Sequence, residues 1–424
     1  MIVWLSALLF VGCSGDGEDS AVEQPDSELP TGVHRLSGED FDLPLSDLAP
    51  LTDMLADASV VGVGESIHFS GGFHRTRARV MKKLISEDDF RIVALEGSWQ
   101  RAYTTRSYVD SCDSVDLDLA MAGTTFGAWQ SQETAEFLQW LCGYNAQHPD
   151  DPVTFVGVDV QEPWTDMQLL HNLWPDEPTL DELSSCLGFA LEPGQDPSSD
   201  PTIARLMTGT VGLEQAETDA CLVGIDRVRT WVQSQSDPYV SILALTALQA
   251  GQTLYTPDQL SDPAIYEARD AGMADLLLLQ REEIDPAART LYWAHNAHIL
   301  ANGDQISDPF RSPPPQTAGT FLADRLGSDY AAIGFGAHTV SWDWPGLGAD
   351  TVVSSEGSLE ASLYALNEPF LLIDAELATG GDGVLAADEP VDFGNPNPNG
   401  MVIRDHYRAL VYADVSDAMI SWWQ

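Results

Sequence analysis

Lysine is almost missing from this chain: of 424 residues only Lys82 and Lys83 are lysines, and 19 Lys and Arg face 66 Asp and Glu. A formal charge of −47 excludes a nucleic-acid binder and disfavours anionic membranes, because both are bound through basic side chains. The imbalance points to a salty or calcium-rich habitat rather than to a chemistry. No run of eighteen or more apolar residues occurs, so no spanning helix is expected. There is no Gly-x-Ser-x-Gly elbow, which removes the usual serine hydrolase. There is no His-Glu-x-x-His helix, no Cys-x-x-Cys pair and no Gly-rich P-loop, so zincin, redox and nucleotide chemistry lack their signatures.

The residues that are present read as a globular chain. The apolar share is 44% and there are 12 Trp residues, at a length sufficient for a large core. Met1–Gly12 is almost wholly apolar and ends in Phe10-Val11-Gly12-Cys13, the pattern of a bacterial lipoprotein signal with Cys13 as the lipidated residue. Phe10 stands where Leu is usual, and no Lys or Arg precedes the apolar stretch. Ser14–Pro30 is rich in Ser, Asp, Glu and Pro, the composition of a solvated tether, which we extend to residue 36. Export is expected, with membrane attachment only through a lipid on Cys13. The other four cysteines then pair by proximity as Cys112–Cys142 and Cys186–Cys221, four reduced buried thiols being the alternative.

Short runs rich in Val, Ile, Ala and aromatics recur at Ser59–Val63, Arg91–Leu95, Val153–Val158, Thr290–Trp293 and Tyr330–Phe335, with Phe370–Ile373 and Ala409–Tyr412 as two more. They read as buried parallel strands. Gly72–Ser86 and Gln132–Asn145 carry apolar residues at helical spacing, as do Thr202–Met207, Glu217–Gln233, Val240–Leu254 and Ala264–Arg281. The expectation is an α/β fold: a mostly parallel central sheet flanked by helices, with an inserted, mostly helical subdomain. Residues 37–163 and 284–424 form the catalytic core, and 164–283 the insertion.

The residues at the carboxyl ends of these strands carry the chemistry. Val63 leads to Gly64-Glu65-Ser66-Ile67-His68, Leu95 to Glu96, Val158 to Asp159, and Trp293 to Ala294-His295-Asn296-Ala297-His298. Open parallel sheets bind ligands outside the carboxyl ends of their strands, and four strands here deliver an ionisable residue to that edge. His68 suits a general base, because an unperturbed imidazole titrates near neutrality. Glu65 can orient the ring or raise its basicity, Glu96 can share the pocket, and Arg77 can neutralise the carboxylates or hold a developing oxyanion. Activated water is the economical nucleophile. His68, His295, His298 and two carboxylates would also suffice to ligate zinc, manganese or iron, so the residues alone leave metal and no metal open.

This ordered set resembles the erythromycin esterase family. The likeness runs from Gly64-Glu65-Ser66-Ile67-His68 through Arg77 to Val93-Ala94-Leu95-Glu96-Gly97, then Trp129 with Glu133 and Trp140, then Gly157-Val158-Asp159-Val160-Gln161. It continues through Arg269-Asp270 to Trp293-Ala294-His295-Asn296-Ala297-His298 and Gly334-Phe335-Gly336, covering roughly residues 55 to 415. The resemblance implies a hydrolase that cleaves an ester or lactone in a small hydrophobic molecule by histidine-activated water, with no cofactor and no metal; export, expected from the N-terminus, departs from the family, whose resistance esterases are usually cytoplasmic. It implies His68 as base, Glu65, Arg77, Glu96, His295 and His298 as the other catalytic positions, and Asp159, Trp129 and Arg269 as substrate-binding ones. Gly72 stands where many relatives are acidic, and His74 is an additional imidazole expected to face solvent. A metal-dependent hydrolase using the same pocket and a haem- or ligand-binding lipoprotein are the rival readings.

Overall fold

The computed structural model describes residues 28–189, 191, 214–255, 263–305, 314–344, 348–379, 384–385, 389–391 and 399–423. The signal at 1–13 with Cys13, the tether up to residue 27 and the helical stretch Thr202–Met207 lie outside the described residues, as do parts of 302–317 and most of 380–400. The strands are β1 Val33–Arg35, β2 Val60–Val63, β3 Phe90–Ser98, β4 Thr154–Asp159, β5 Arg289–Trp293, β6 Tyr330–Trp344, β7 Gly348–Val353, β8 Phe370–Asp374, β9 Glu389–Val391, β10 Asn399–Met401 and β11 Ala409–Ser416. All seven apolar runs singled out in the sequence are strands.

Nine strands form one mixed sheet in the order β1-β8-β11-β6-β2-β5-β3-β4, with β7 also on β6, while β9 and β10 pair separately. The six strands from β11 to β4 run parallel, and β1, β8 and β7 are antiparallel additions. Along the central strands both alternating sets are apolar. Val60, Ile92, Val156, Tyr292 and Ala332 look into one core; Val61, Val93, Phe155, Leu291 and Ile333 look into the other. That double burial is why these runs read as continuous apolar stretches rather than as alternating ones.

Helices cover both faces. Helix α1 (Gly71–Glu87) buries Phe73, Val80, Met81, Leu84 and Ile85 at helical spacing, and α2 (Gln132–Gln147) buries Phe137, Leu138 and Leu141 beside it. The opposite face receives Met167 and Leu170 from α3 (Pro163–Leu173), Ile225 and Val228 from α4 (Gln215–Val232) and Leu243 with Leu248 from α5 (Tyr239–Thr253). Met273 and Leu276 from α6 (Pro263–Ile284) and Leu322 from α7 (Ala318–Leu326) complete it. Among the described residues no helix is long and apolar enough to cross a membrane.

One boundary needs correction. The tether drawn to residue 36 ends earlier, because Val33–Arg35 pairs antiparallel with Leu371–Ile373 and both Val33 and Leu36 are buried. Three residues of mixed polarity carry too little period to announce an edge strand.

Both expected disulfides are present, Cys112–Cys142 and Cys186–Cys221. The second closes a separation of 35 residues and ties the segment after α3 to α4. Replacing Cys186 and Cys221 by Ala is expected to cost about 4 kcal/mol in the chain-entropy model. The check is the midpoint of denaturant unfolding; an unchanged midpoint would mean that packing alone holds the loop.

Candidate active site

Sheet order explains why residues far apart in sequence meet. Strands β2, β5, β3 and β4 are consecutive neighbours, so their carboxyl ends bring Glu65, His295, Glu96 and Asp159 to one edge. Pairing of β3 with β4 shifts between Leu95 and Ser98, and this irregularity lies where Glu96 turns into the site. Asn296 ties the edge together. Its backbone N–H donates to the Glu65 carbonyl at 2.8 Å, and its side-chain amide exchanges hydrogen bonds with the backbone of Phe335 at 2.7 and 3.2 Å. Gly64 is glycine because a Cβ there would lie 2.0 Å from Asn296 Oδ1.

Glu65 is the buried centre of the first cluster. Its Oε1 lies 2.5 Å from His68 Nδ1, and its Oε2 accepts from Arg77 Nη1 at 2.8 Å and lies 3.2 Å from His74 Nε2. Burial alone would raise the carboxyl pKa, but the Arg77 charge and the bonds from His68 and His74 overcome it and hold the group well below the usual range. His74 is therefore not the solvent-facing imidazole that was expected. It is buried, with Nδ1 on Ser131 Oγ at 2.9 Å, and burial lowers its pKa. Arg77 lies beneath Glu65, fully buried, its guanidinium 4.5 Å from the centre of the Trp293 ring and 5.1 Å from that of Trp129. Its Nε and Nη2 have no hydrogen-bond partner among the described residues. From there it neutralises the carboxylate and does not border the cleft.

The second cluster gathers around Glu96. Its Oε1 accepts from Arg269 Nη2 at 2.8 Å and lies 3.3 Å from His298 Nε2, while Oε2 accepts the His295 backbone N–H at 2.9 Å. Burial pushes this carboxyl up, but His298 and Arg269 outweigh it, and the pKa falls to about 2. Asp159 accepts two bonds from Arg269, at 2.5 and 3.2 Å, and so holds the guanidinium rather than bordering the cleft itself. His298 Nδ1 donates to Asp270 Oδ1 at 2.7 Å. Burial disfavours the imidazolium of His298, yet Asp270 and Glu96 together raise its pKa. In the neutral form its Nε2 accepts from Arg269 Nη1 at 2.9 Å; in the protonated form it donates to Glu96. Asp270 was not expected in the site, although it adjoins Arg269 in the chain.

His295 is committed on both nitrogens. Nδ1 accepts from the Ala297 N–H at 3.1 Å, so Nε2 carries the proton donated to the Ser66 carbonyl at 2.9 Å. Burial and the neighbouring His68 lower its pKa to about 4. Nitrogen-15 NMR titration is expected to find His295 neutral and Nε2-protonated at pH 7, with His298 charging above the ordinary histidine range of about 6.5. His295 titrating at the ordinary value would contradict this assignment.

His68 of the first cluster and Glu96, Arg269 and His298 of the second line one cavity of about 440 Å³, with Gln161 on the same polar side and Phe69, Phe126, Trp129 and Trp344 on the apolar side. His68 stands between them, its ring 5.2 Å from Trp129 and 4.9 Å from His295, its side chain 27% exposed. With Nδ1 on Glu65, its Nε2 has no hydrogen bond among the described residues. The indole N–H of Trp129 donates to the Glu96 carbonyl at 2.6 Å, coupling the two clusters. Among the described residues no group of three or more His, Cys, Asp or Glu side chains could hold a metal ion.

Residues 416–419 cap the helix that follows the base. Ser70 precedes α1 but does not cap it. Ser416 Oγ accepts the Phe73 N–H at 3.0 Å and the Asp417 carbonyl accepts that of Gly71 at 2.7 Å, so the cap comes from the end of β11 and the residue beyond it. The Met419 N–H donates to the Phe69 carbonyl at 3.0 Å, next to His68.

The model of the family described as erythromycin esterase matches residues 85–398. A putative hydrolase of Bacillus subtilis (strain 168), YbfO, is 20% identical over 410 residues, covering 88% of each chain. The erythromycin esterase type I of Escherichia coli is 24% identical over 323 residues, 69% of this chain and 73% of that protein. A solved structure of a mutant erythromycin esterase, EreC, in its open conformation superposes with a TM-score of 0.64 at 20% identity, covering 92% of this chain and 98% of that one.

Proposed function

The chain belongs to the erythromycin esterase family, and on that premise we propose that its cleft hydrolyses a carboxylic ester or lactone in a small hydrophobic molecule, with His68 activating water. The observation that carries this reading is the His68 ring, held through Nδ1 by a buried, ionised Glu65 at 2.5 Å while it borders the cavity. Water on the His68 Nε2 side gives up a proton to that nitrogen as its oxygen attacks the ester carbonyl. The imidazolium so formed sits against the Glu65 carboxylate, whose charge Arg77 stabilises from beneath. The carbonyl oxygen gathers negative charge opposite Arg269, the guanidinium on the polar side of the cleft, and beside His298, whose protonated form Asp270 and Glu96 favour. Collapse breaks the bond to the alkoxide, which takes the proton back from His68, and acid and alcohol leave. No step calls for a metal.

The test is mass-spectrometric detection of hydrolysis of erythromycin and a panel of simpler esters, with and without chelator. Turnover that survives chelation supports the reading. Turnover abolished by chelator and restored by a divalent cation would replace it with a metal-assisted one.

Export as a lipoprotein anchored at Cys13 belongs to the same proposal. Two disulfides favour an oxidising compartment. Labelled palmitate should enter the wild-type chain and not Cys13→Ser; equal labelling of both would refute the anchor.

A further inference from the structure

Two aromatic residues meet at the apolar side of the cleft, Phe69 and Trp344. Phe69, directly after His68, is held at φ +67°, a region that a bulky aromatic side chain adopts only at a cost of about 1–3 kcal/mol. Its ring meets Trp344 at 4.8 Å between centroids, tilted by 43°, and would lie 3.7 Å from a Cβ at Gly127 on its other flank. Trp344 reaches it by the overrun of β6. That strand pairs with β2 only as far as Ile333 and with β11 as far as Val340, then continues beside β7 alone to Trp344. The arm thus runs past the carboxyl edge of the sheet, where the site lies, and delivers an indole that is 40% exposed over a Phe69 that is 6% exposed. A Trp on an extended arm buries too little of its own surface to serve the core. It does give the cleft an apolar wall adjoining the base.

We propose that Trp344, backed by Phe69, forms a specificity subsite that receives a flat or bulky apolar group of the ester substrate next to the scissile carbonyl. The inference rests on the ester-hydrolysis reading and adds to it the chemical class of the group accepted. The aromatic pair packs such a group by stacking and by exclusion of water. The polar side of the cleft, already committed to ion pairs among Glu96, Arg269 and Asp159, is left to the carbonyl. Binding contacts of this kind are made alike in the ground and transition states, so their loss appears in KM rather than in kcat.

The experiment compares ethyl butyrate with 2-naphthylmethyl butyrate, following release of butyric acid, for the full-length protein and its Trp344→Ala and Trp344→Phe variants. Trp344→Ala is expected to lower the naphthylmethyl-to-ethyl ratio of kcat/KM about tenfold, carried by KM, and Trp344→Phe to restore most of it. A ratio that does not move in Trp344→Ala overturns the proposal. Should the wild type cleave neither ester, the hydrolase reading stays with the erythromycin and ester panel, and calorimetric binding of N-(2-naphthylmethyl)butyramide decides the subsite. About tenfold weaker binding to Trp344→Ala supports it. Equal binding, or none to the wild type, overturns it.

Discussion

Replacing His68 by Ala is expected to lower kcat on every ester the protein accepts by about 10²–10⁴-fold, the range that a positioned general base contributes. The side chain is 27% exposed and packs at the edge of the cleft, so the fold should survive and KM should change little. The geometry makes the prediction specific. His68 alone joins a carboxylate on one nitrogen to the cavity on the other side, whereas both nitrogens of His295 are taken by Ala297 and Ser66 and both of His298 by Asp270 and the Arg269–Glu96 pair. Asn at position 68 should be as inactive as Ala, since an amide has the size but not the basicity. Steady-state kinetics on the best ester settles the point. Turnover unchanged in His68→Ala would assign the base to another group and leave the Glu65 contact a structural one.

Most of this site was legible in the sequence because a parallel sheet gathers the residues that come after its strands. Glu65, Glu96, Asp159 and His295 each adjoin an apolar run, and each stands at the shared edge. The seven core strands were legible for the same reason, their double burial leaving continuous apolar runs. The residues that escaped have identifiable causes. His74 falls on a helix whose first turn is covered by chain arriving from Ser416 and Asp417, and sequence proximity to the helix start gives no hint of that cover. Strand β1 is three residues long and β7 is exposed nearly throughout, so neither carries a burial pattern. Asp270 acts through His298, which lies just after β5, and only the packing of α6 against α7 and that segment brings the pair together. Arg77 was expected among the catalytic groups; it lies below Glu65, its guanidinium against the rings of Trp129 and Trp293, and the sequence does not show that two indoles cover it there.

That position makes Arg77→Met the variant with the largest expected effect on stability. Removing Arg77 takes the guanidinium from a buried ion pair and leaves Glu65 only its contacts with His68 and His74; losing one partner of such a pair typically costs about 3–5 kcal/mol. This is a large part of the roughly 5–15 kcal/mol that holds an ordinary domain together. The loss should depend on pH with a definite sign. In the wild type the folded-state pKa of Glu65 lies well below its ordinary value of 4.5, so its contribution is present above that value and fades as the pH falls through the folded one. In Arg77→Met the Arg77 charge is gone while burial still favours the protonated acid, so the carboxylate penalises the folded state near neutrality and protonation relieves it. The gap between the two proteins is therefore widest at pH 7 and narrows on acidification, as denaturant unfolding at several pH values would record. Curves that stay parallel from pH 7 to pH 4 would instead mean that Arg77 matters only as packing against the two indoles. The double variant Glu65→Gln with Arg77→Met separates the two causes. If the buried carboxylate is the defect, neutralising it recovers much of the lost stability, although His68 then loses its carboxylate partner and activity stays low.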